Sequence, residues 1–329
     1  MNHKRVKMRD HKSEVRLFRN RVIVAFSGIL LFTLVLVGNL YRLQVDNFES
    51  YQTRADGNRI KVLPIAPMRG LIYDRNGVLL AENKLVFDLT MIPEKTDDVD
   101  SMLEKLNKFI PLNEEKIARF KARYHKTRRF KSVTILENLS EKEIAKFSVH
   151  QYQFPGLSID TSLKRFYPNG EVLTHVLGYV AHINDSDLRK LEEQGKEANY
   201  QATTIIGKLG VERYYEDLLH GQKGYQEVEV NSRGRVVRTI KYVPPVAGKD
   251  IVLNIDLDLQ KYVFKQLDHR TGSAIILDPK DNSVLAMASS PSYDPNLFVD
   301  GISSKNYRTL LNDPAHPLVN RTTLGVYPP

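Results

Sequence analysis

Few groups in this 329-residue chain have residue types and spacings that could do chemistry. The absence of Cys excludes a disulfide scaffold, a thiolate zinc site and a cysteine nucleophile. Asp256 and Asp258 in NIDLDLQ offer two carboxylates, but no His or third carboxylate stands nearby to complete a metal shell. A strand end followed by a helix N-cap accounts for them. His175 in HVLGYV could act as a base, although a packed or hydrogen-bonded structural histidine is the plainer expectation. Gly207 and Gly210 lack the glycine pattern of a dinucleotide or phosphate loop and read as a tight turn before a helix. Lys116–Lys131 carries eight Lys/Arg and no acid. It could bind an anionic partner such as a glycan-linked carboxylate or phosphate, but a solvated helix face explains it as well. No metal and no organic cofactor is expected.

The elements around these residues begin at a membrane. Of the formal net charge of +9, six units fall in residues 1–21, where eight Lys/Arg face only Asp10 and Glu14. Val22–Tyr41 follows, twenty residues without a formal charge. As a helix it spans about 30 Å, one hydrocarbon core. The run is too long for a signal-peptide core, and Gly38-Asn39-Leu40-Tyr41 offers no small-x-small cleavage site. The basic cluster predicts a cytoplasmic N-terminus and an exported body, with anionic lipid head groups rather than nucleic acid as its partner.

Residues 42–60 read as a stalk. Leu71–Asp74 and Val78–Ala81 flank Asn76-Gly77, which predicts a hairpin with a tight primed turn. Arg69, Asp74 and Arg75 are expected to hold that hairpin by ion pairs. Residues 97–150 form a helical insertion, with Leu103, Leu106 and Ile110 at helical spacing until Pro111 and a capping box at Ser140/Glu143. Val211–Leu219 reads as a helix closed by Gly221, and Tyr225–Val230 with Arg235–Val243 as a strand pair. Pro244-Pro245 and Gly248 mark a boundary near residue 246. Beyond it, Asp250–Ile255 is a predicted strand, Leu257–Asp268 a helix, and Ser273–Leu277 with Val284–Ala288 a hairpin.

Six stretches, in order, resemble the class B penicillin-binding proteins: RGLIYDRNG (69–77), RFYP with HVLGYV (165–168 and 175–180), GKLGVERYYE (207–216), GKDIVLNIDLDLQ (248–260), AIILDPKDNSVLAMASSPSYDPNLF (274–298) and PLVNRTTLGVYPP (317–329). The wording of SYDPNLFVDGISS and NRTTLGVYPP resembles the elongation type more than the division type. The resemblance implies an α+β chain with a single N-terminal transmembrane helix. An elongated pedestal of the dimerisation type follows over 61–246, then the start of a β-lactamase-like transpeptidase domain over 247–329. The pedestal motif comprises Arg69, Gly70, Asp74, Arg75, Gly77, Gly207, Gly210 and Glu212. Asn320, Arg321, Tyr327, Pro328 and Pro329 form the approach to the active site.

The implied activity is peptidoglycan D,D-transpeptidation, cross-linking stem peptides by serine acyl transfer, with β-lactams trapping the serine. The implied partners are a SEDS-type glycan polymerase, other elongation-complex proteins and membrane lipids, at the inner membrane with a periplasmic body. This chemistry needs S-x-x-K, S-x-N and K-[ST]-G together. A serine hydroxyl must lose its proton to a nearby base before it attacks, and backbone N–H groups must hold the oxyanion. No serine here has a lysine three positions on, and no K-[ST]-G occurs. Ser304-Lys305-Asn306 fits S-x-N but precedes the place where S-x-x-K belongs, so chance explains it. The resemblance places the nucleophile about two positions beyond Pro329. Residues 1–329 alone are therefore expected not to acylate, and the strand at Ala274–Leu277 to lack neighbours. The alternative is a non-catalytic, membrane-anchored pedestal that binds and regulates a glycan polymerase.

Overall fold

The computed structural model describes residues 11–48, 59–96, 98–127, 129, 131–231, 236–267 and 270–325. Helix α1 (His11–Tyr41) contains the predicted span and reaches back into the basic tail. It carries the one described segment long and apolar enough to cross a membrane, Arg19–Asp46. A π-helical turn, Arg42–Asp46, continues it, and the remainder of the predicted stalk lies largely outside the described residues.

The body begins with β1 (Ile60–Ile65), β2 (Ile72–Tyr73) and the long β3 (Leu79–Met91). A helical lobe follows, built from α2 (Val99–Asn107), α3 (Glu114–Lys126), β4 (Val133–Leu136) and α4 (Glu141–His150). Asp98 and Asn113 cap α2 and α3, and Ser140/Glu143 forms a full capping box on α4. Helix α2 stops at Asn107, short of Pro111, because the Asn107 side chain accepts from Leu112 N–H at 2.7 Å. Leu103, Leu106, Ile110, Phe120 and Phe147 form the lobe's core against Leu89 and Met91 of β3.

The chain returns through β5 (Leu157–Phe166), antiparallel to β3 over ten pairs from Glu82↔Phe166 to Met91↔Leu157. Next come α5 (Thr174–Leu177), β6 (Val180–His182), α6 (Asp185–Glu193), β7 (Ile205–Gly207), α7 (Gly210–Tyr214) and α8 (Glu216–His220). The helix predicted over Val211–Leu219 is thus two helices, broken at Tyr215, whose φ of −100° and ψ of 23° leave the helical region. Then β8 (Gly224–Val230) and β9 (Val236–Val243) join β1 in a sheet of order β1-β8-β9.

Strand β10 (Ile251–Val252) is shorter than predicted, because only these two residues pair in register with β2, in parallel. Helix α9 (Leu257–Leu267) packs on the hairpin of β11 (Gly272–Leu277) and β12 (Val284–Ser290) through Leu259, Val263, Ala286 and Ala288. Strand β11 does pair with β12, but Ile275 and Leu277 are exposed. Short helices α10 (Asn296–Val299), α11 (Ser304–Leu311) and α12 (Arg321–Leu324) follow. Ser304-Lys305-Asn306 is the first turn of α11 and largely exposed.

The turn after β2 is not the predicted primed one. Gly77 alone has positive φ, +80°, Gly77 N–H donates to Asp74 O at 3.1 Å, and the register shifts by one residue at Ile72/Tyr73. That is a type I turn with a glycine bulge. The Asp74 carboxylate selects it by accepting from Asn76 N–H at 2.8 Å and Val78 N–H at 2.7 Å.

Candidate functional site

Arg69, just before β2, reaches α7 and α8, 143 residues further on. Its Nε donates to Glu212 Oε2 at 2.8 Å, and its Nη2 to Glu216 Oε2 at 2.6 Å. The other Glu212 oxygen accepts from Arg165 Nε at 2.7 Å and from the Tyr167 hydroxyl at 3.1 Å. Glu216 also accepts from the Tyr200 hydroxyl at 3.0 Å and from Gly207 N–H at 2.9 Å. Arg165 donates further to Gly70 O at 2.7 Å, and Asn83 Nδ2 donates to Arg69 O at 2.5 Å. Two guanidinium groups and two carboxylates thus form one buried cluster that clamps β3, β5, α7 and α8.

The electrostatics of the cluster set neighbours against burial. Burial pushes the Glu212 carboxyl up, but Arg69 and Arg165 outweigh it and hold the pKa below the ordinary value. Burial would lower Arg69, and Glu212 and Glu216 instead raise it above its ordinary value. Tyr167 is raised by burial first and by Glu212 second, so it stays a neutral donor. Such a cluster specifies a geometry; it contains neither a nucleophile nor a free base.

The other pedestal-motif residues serve neighbouring joints. Gly70 admits the chain near residue 249, since a Cβ there would sit 2.0 Å from Lys249 O. Asp74 is buried, and besides the turn amides it accepts from Leu257 N–H, the start of α9, at 3.2 Å. It holds the hairpin through backbone amides, not through an ion pair as the sequence suggested. Arg75 donates its backbone N–H to Ile255 O at 3.0 Å. Gly210, at φ +58°, opens α7 against α5. Asp256 caps α9, accepting from Leu259 N–H at 3.1 Å, while Asp258 lies in its first turn.

A second group of contacts joins residues 164–175 to the segments beyond residue 256. Asn296 grips the Tyr167 backbone in both directions, 3.0 Å each. Thr174 donates to Tyr293 O at 2.6 Å, and Gln260 donates to Val172 O and Met287 O, both at 2.9 Å. Lys164 pairs with Asp300 at 3.0 Å. His175 lies edge-on to Tyr293, 5.6 Å between centroids, and burial lowers its pKa to about 4, so it is neutral.

Asn320 caps α12 by accepting from Thr322 N–H at 3.1 Å and donates to His175 O at 3.1 Å. Arg321 is buried and donates to the carbonyls of Ala315, His316 and Val319, fixing the loop before α12. Asn320 borders a cavity of about 650 Å³, lined also by His175, Leu209, Tyr214, Met287 and Leu324. Tyr327, Pro328 and Pro329 lie outside the described residues. Arg69, Gly70, Gly207 and Glu212 therefore converge at the cluster, while Asn320 and Arg321 stand at the separate joint. Among the described residues no group of three or more His, Asp or Glu is placed to hold a metal.

Sequence reasoning did not single out Arg165, Glu216, Tyr200 or Asn296. Arg165, Glu216 and Asn296 lie in the RFYP, GKLGVERYYE and 274–298 stretches, whose resemblance was the available signal; Tyr200 had none.

The profile of the Penicillin-binding Protein dimerisation domain matches residues 64–253, more than half of the chain. This chain belongs to the penicillin-binding protein family. The profile of the Penicillin binding protein transpeptidase domain matches residues 272–329. Among relatives, the Peptidoglycan D,D-transpeptidase MrdA of Escherichia coli K12 is 54% identical over 98% of this chain and 51% of its own length. The MrdA of Haemophilus influenzae is 52% identical over 98% of this chain and 49% of its own. The solved complex between PBP2 and MreC from Helicobacter pylori matches with TM-score 0.66 and 30% identity, covering 80% of this chain and 48% of that one. Pseudomonas aeruginosa PBP2, solved with WCK 5153, matches with TM-score 0.51 and 32% identity over 82% of this chain and 39% of that one. This penicillin-binding protein chain spans about half the length of the curated relatives it matches.

Proposed function

We propose that this chain supplies the anchor, pedestal and leading transpeptidase segment of a penicillin-binding protein 2-type peptidoglycan D,D-transpeptidase. The observation that carries the reading is the 54% identity to a D,D-transpeptidase along nearly the whole chain. The proposed organisation is a cytoplasmic tail (1–21), an inner-membrane span (22–41), a stalk (42–60), a periplasmic pedestal (61–246) and transpeptidase residues from 247 onward. The buried cluster of Arg69, Arg165, Glu212 and Glu216 makes the pedestal a rigid spacer. On this reading Asn320, Arg321 and the Tyr327-Pro328-Pro329 run lead toward the nucleophile of the whole protein.

In the whole protein, the S-x-x-K serine attacks the penultimate D-Ala carbonyl of a stem peptide. Its proton passes to the lysine, an ester forms, and terminal D-Ala leaves as the amine after taking up a proton. A neighbouring stem-peptide amine then attacks the ester, forms the amide cross-link and restores the serine hydroxyl. A β-lactam reaches the same serine and stops at the ester. Proposed partners are a SEDS-type glycan polymerase and an MreC-type elongation protein.

Reading the coding DNA beyond codon 329 and labelling the full product with a fluorescent penicillin tests this. The expected result is a Gly followed by S-x-x-K and one labelled serine, with residues 1–329 unlabelled. A full product that does not label yet still binds the polymerase overturns the enzyme reading in favour of a non-catalytic pedestal.

A further inference from the structure

The β1-β8-β9 sheet carries an apolar and basic surface that the clamped cluster does not use. Four of the eight residues of β9, Val236, Val237, Ile240 and Tyr242, are large, apolar and exposed by 48–61%. Arg238 and Lys241 are interleaved with them, and Arg59 and Lys61 stand on the β1 side. Against these four basic residues the sheet sets only Glu227 and Glu229. Glu229 lies between Arg59 at 3.5 Å and Arg238 at 2.7 Å, which depress its pKa, Arg238 by hydrogen bonding first.

An exposed apolar edge strand ordinarily invites another strand. This edge does not suit one. The pairing skips Ile240 between Thr239 and Lys241, and Val237 between Val236 and Arg238, so two bulges break the ladder and push both apolar side chains out of register. What remains is an aliphatic and tyrosine surface fringed by long basic side chains, the composition of a membrane-interface element.

Topology says which membrane. β1 is the first described strand after the candidate span, and Ile60 pairs with Glu229. β8 therefore runs back toward the start of β1, and the β8–β9 end at Val230/Val236 lies beside the point where the chain enters the body after the candidate span. The thirteen residue steps from Asp46 to Arg59 can bridge at most about 45 Å.

We propose that this hairpin rests on the phospholipid surface from which the span emerges, with Val237 and Ile240 at the acyl boundary and Arg238 and Lys241 on anionic head groups. The proposal rests on the membrane-anchored reading of Arg19–Asp46. The contact would fix the height and tilt of the pedestal, which a single span leaves free to swing.

The absence of Cys makes the test direct, because one introduced thiol is the only label site. An environment-sensitive fluorophore is attached to I240C, to L34C in the span and to Y152C on the distant lobe. Each labelled chain is reconstituted in vesicles of phosphatidylethanolamine and phosphatidylglycerol containing brominated acyl chains. The expected result is quenching by about half at positions 34 and 240 and little at 152. Arg238→Glu with Lys241→Glu, or phosphatidylcholine alone, should weaken the contact at 240 by about fivefold or more. A position-240 probe that matches position 152 while position 34 is quenched overturns the hairpin proposal alone. So does shielding at 240 that needs an added partner protein. An unquenched position 34 overturns the anchor reading and the proposal with it.

Discussion

The same ion-pair chemistry occurs in two settings. In the pedestal, Arg69, Arg165 and Glu212 are joined with their side chains at most 8% exposed. On the helical lobe, Arg123–Glu137 at 2.6 Å and Lys121–Asp100 at 2.7 Å have comparable distances but half-exposed side chains. Distance therefore does not separate them; water does. Exposed pairs are screened and contribute roughly 0–1 kcal/mol. A buried pair stabilises little against an apolar substitute, yet breaking it strands a charge at a cost of about 3–5 kcal/mol. The lobe's basic run is thus a solvated face that tolerates change, and the cluster is a specificity device that does not. Among the described residues of Lys116–Lys131, Arg119, Lys121 and Arg123 already pair with local acids.

The contrast breaks if Glu212→Gln is mild. The substitution keeps the shape and leaves Arg69 and Arg165 buried without their shared anion. The expected loss is about 3–5 kcal/mol by urea unfolding. The pH sign follows from the depressed Glu212 pKa. Its contribution is present above the ordinary Glu value of about 4.3 and is lost as pH falls through the lower folded value. Acid destabilisation below about pH 4 should therefore be shallower in the variant, since glutamine does not titrate. A loss under about 1 kcal/mol would place the cluster with the surface pairs.

His175 sharpens the comparison with a buried titratable group that has no counter-ion. Its pKa falls from 6.5 to about 4 by burial, so the unfolded chain binds the proton first as pH drops. Stability is then undiminished above pH 6.5 and declines between 6.5 and about 4, by roughly 2–3 kcal/mol. His175→Phe should match the parent near pH 7.5 and exceed it near pH 4.5 by about that amount, read as the difference in urea midpoints. Parallel curves for the two proteins across this window would show that His175 is solvated.

What the sequence disclosed was local. The long apolar helix, the Ser140/Glu143 capping box and the β11–β12 hairpin depend on neighbours within a few residues, and each is present. The α+β class and the pedestal followed from the ordered motifs. The cluster could not be read so, because Arg69 meets Glu212 across 143 positions and Arg165 meets it across 47. Local reading failed where one side chain intervened. The Asp74 carboxylate turned an apparent primed turn into a type I turn with a bulge, and Asn107 ended α2 before Pro111 could. Strand β10 was over-read because its length depends on how much of β2 it meets.

The smallest effects belong to the lobe. Ser140 accepts from Glu143 N–H while Glu143 returns a bond to Ser140 N–H at 2.8 Å, so Ser140→Ala should cost about 1 kcal/mol, seen as faster amide exchange in the first turn of α4. Smaller still is the Arg123–Glu137 pair. A double-mutant cycle with Arg123→Ala and Glu137→Ala should return a coupling of about 0.5 kcal/mol, shrinking toward zero in 1 M salt. Both side chains are a third or more exposed, so water already solvates each charge when its partner is removed. A coupling above about 2 kcal/mol that resists salt would mean the pair is dry in solution, and the division between the two settings would have to be redrawn around local packing instead of exposure.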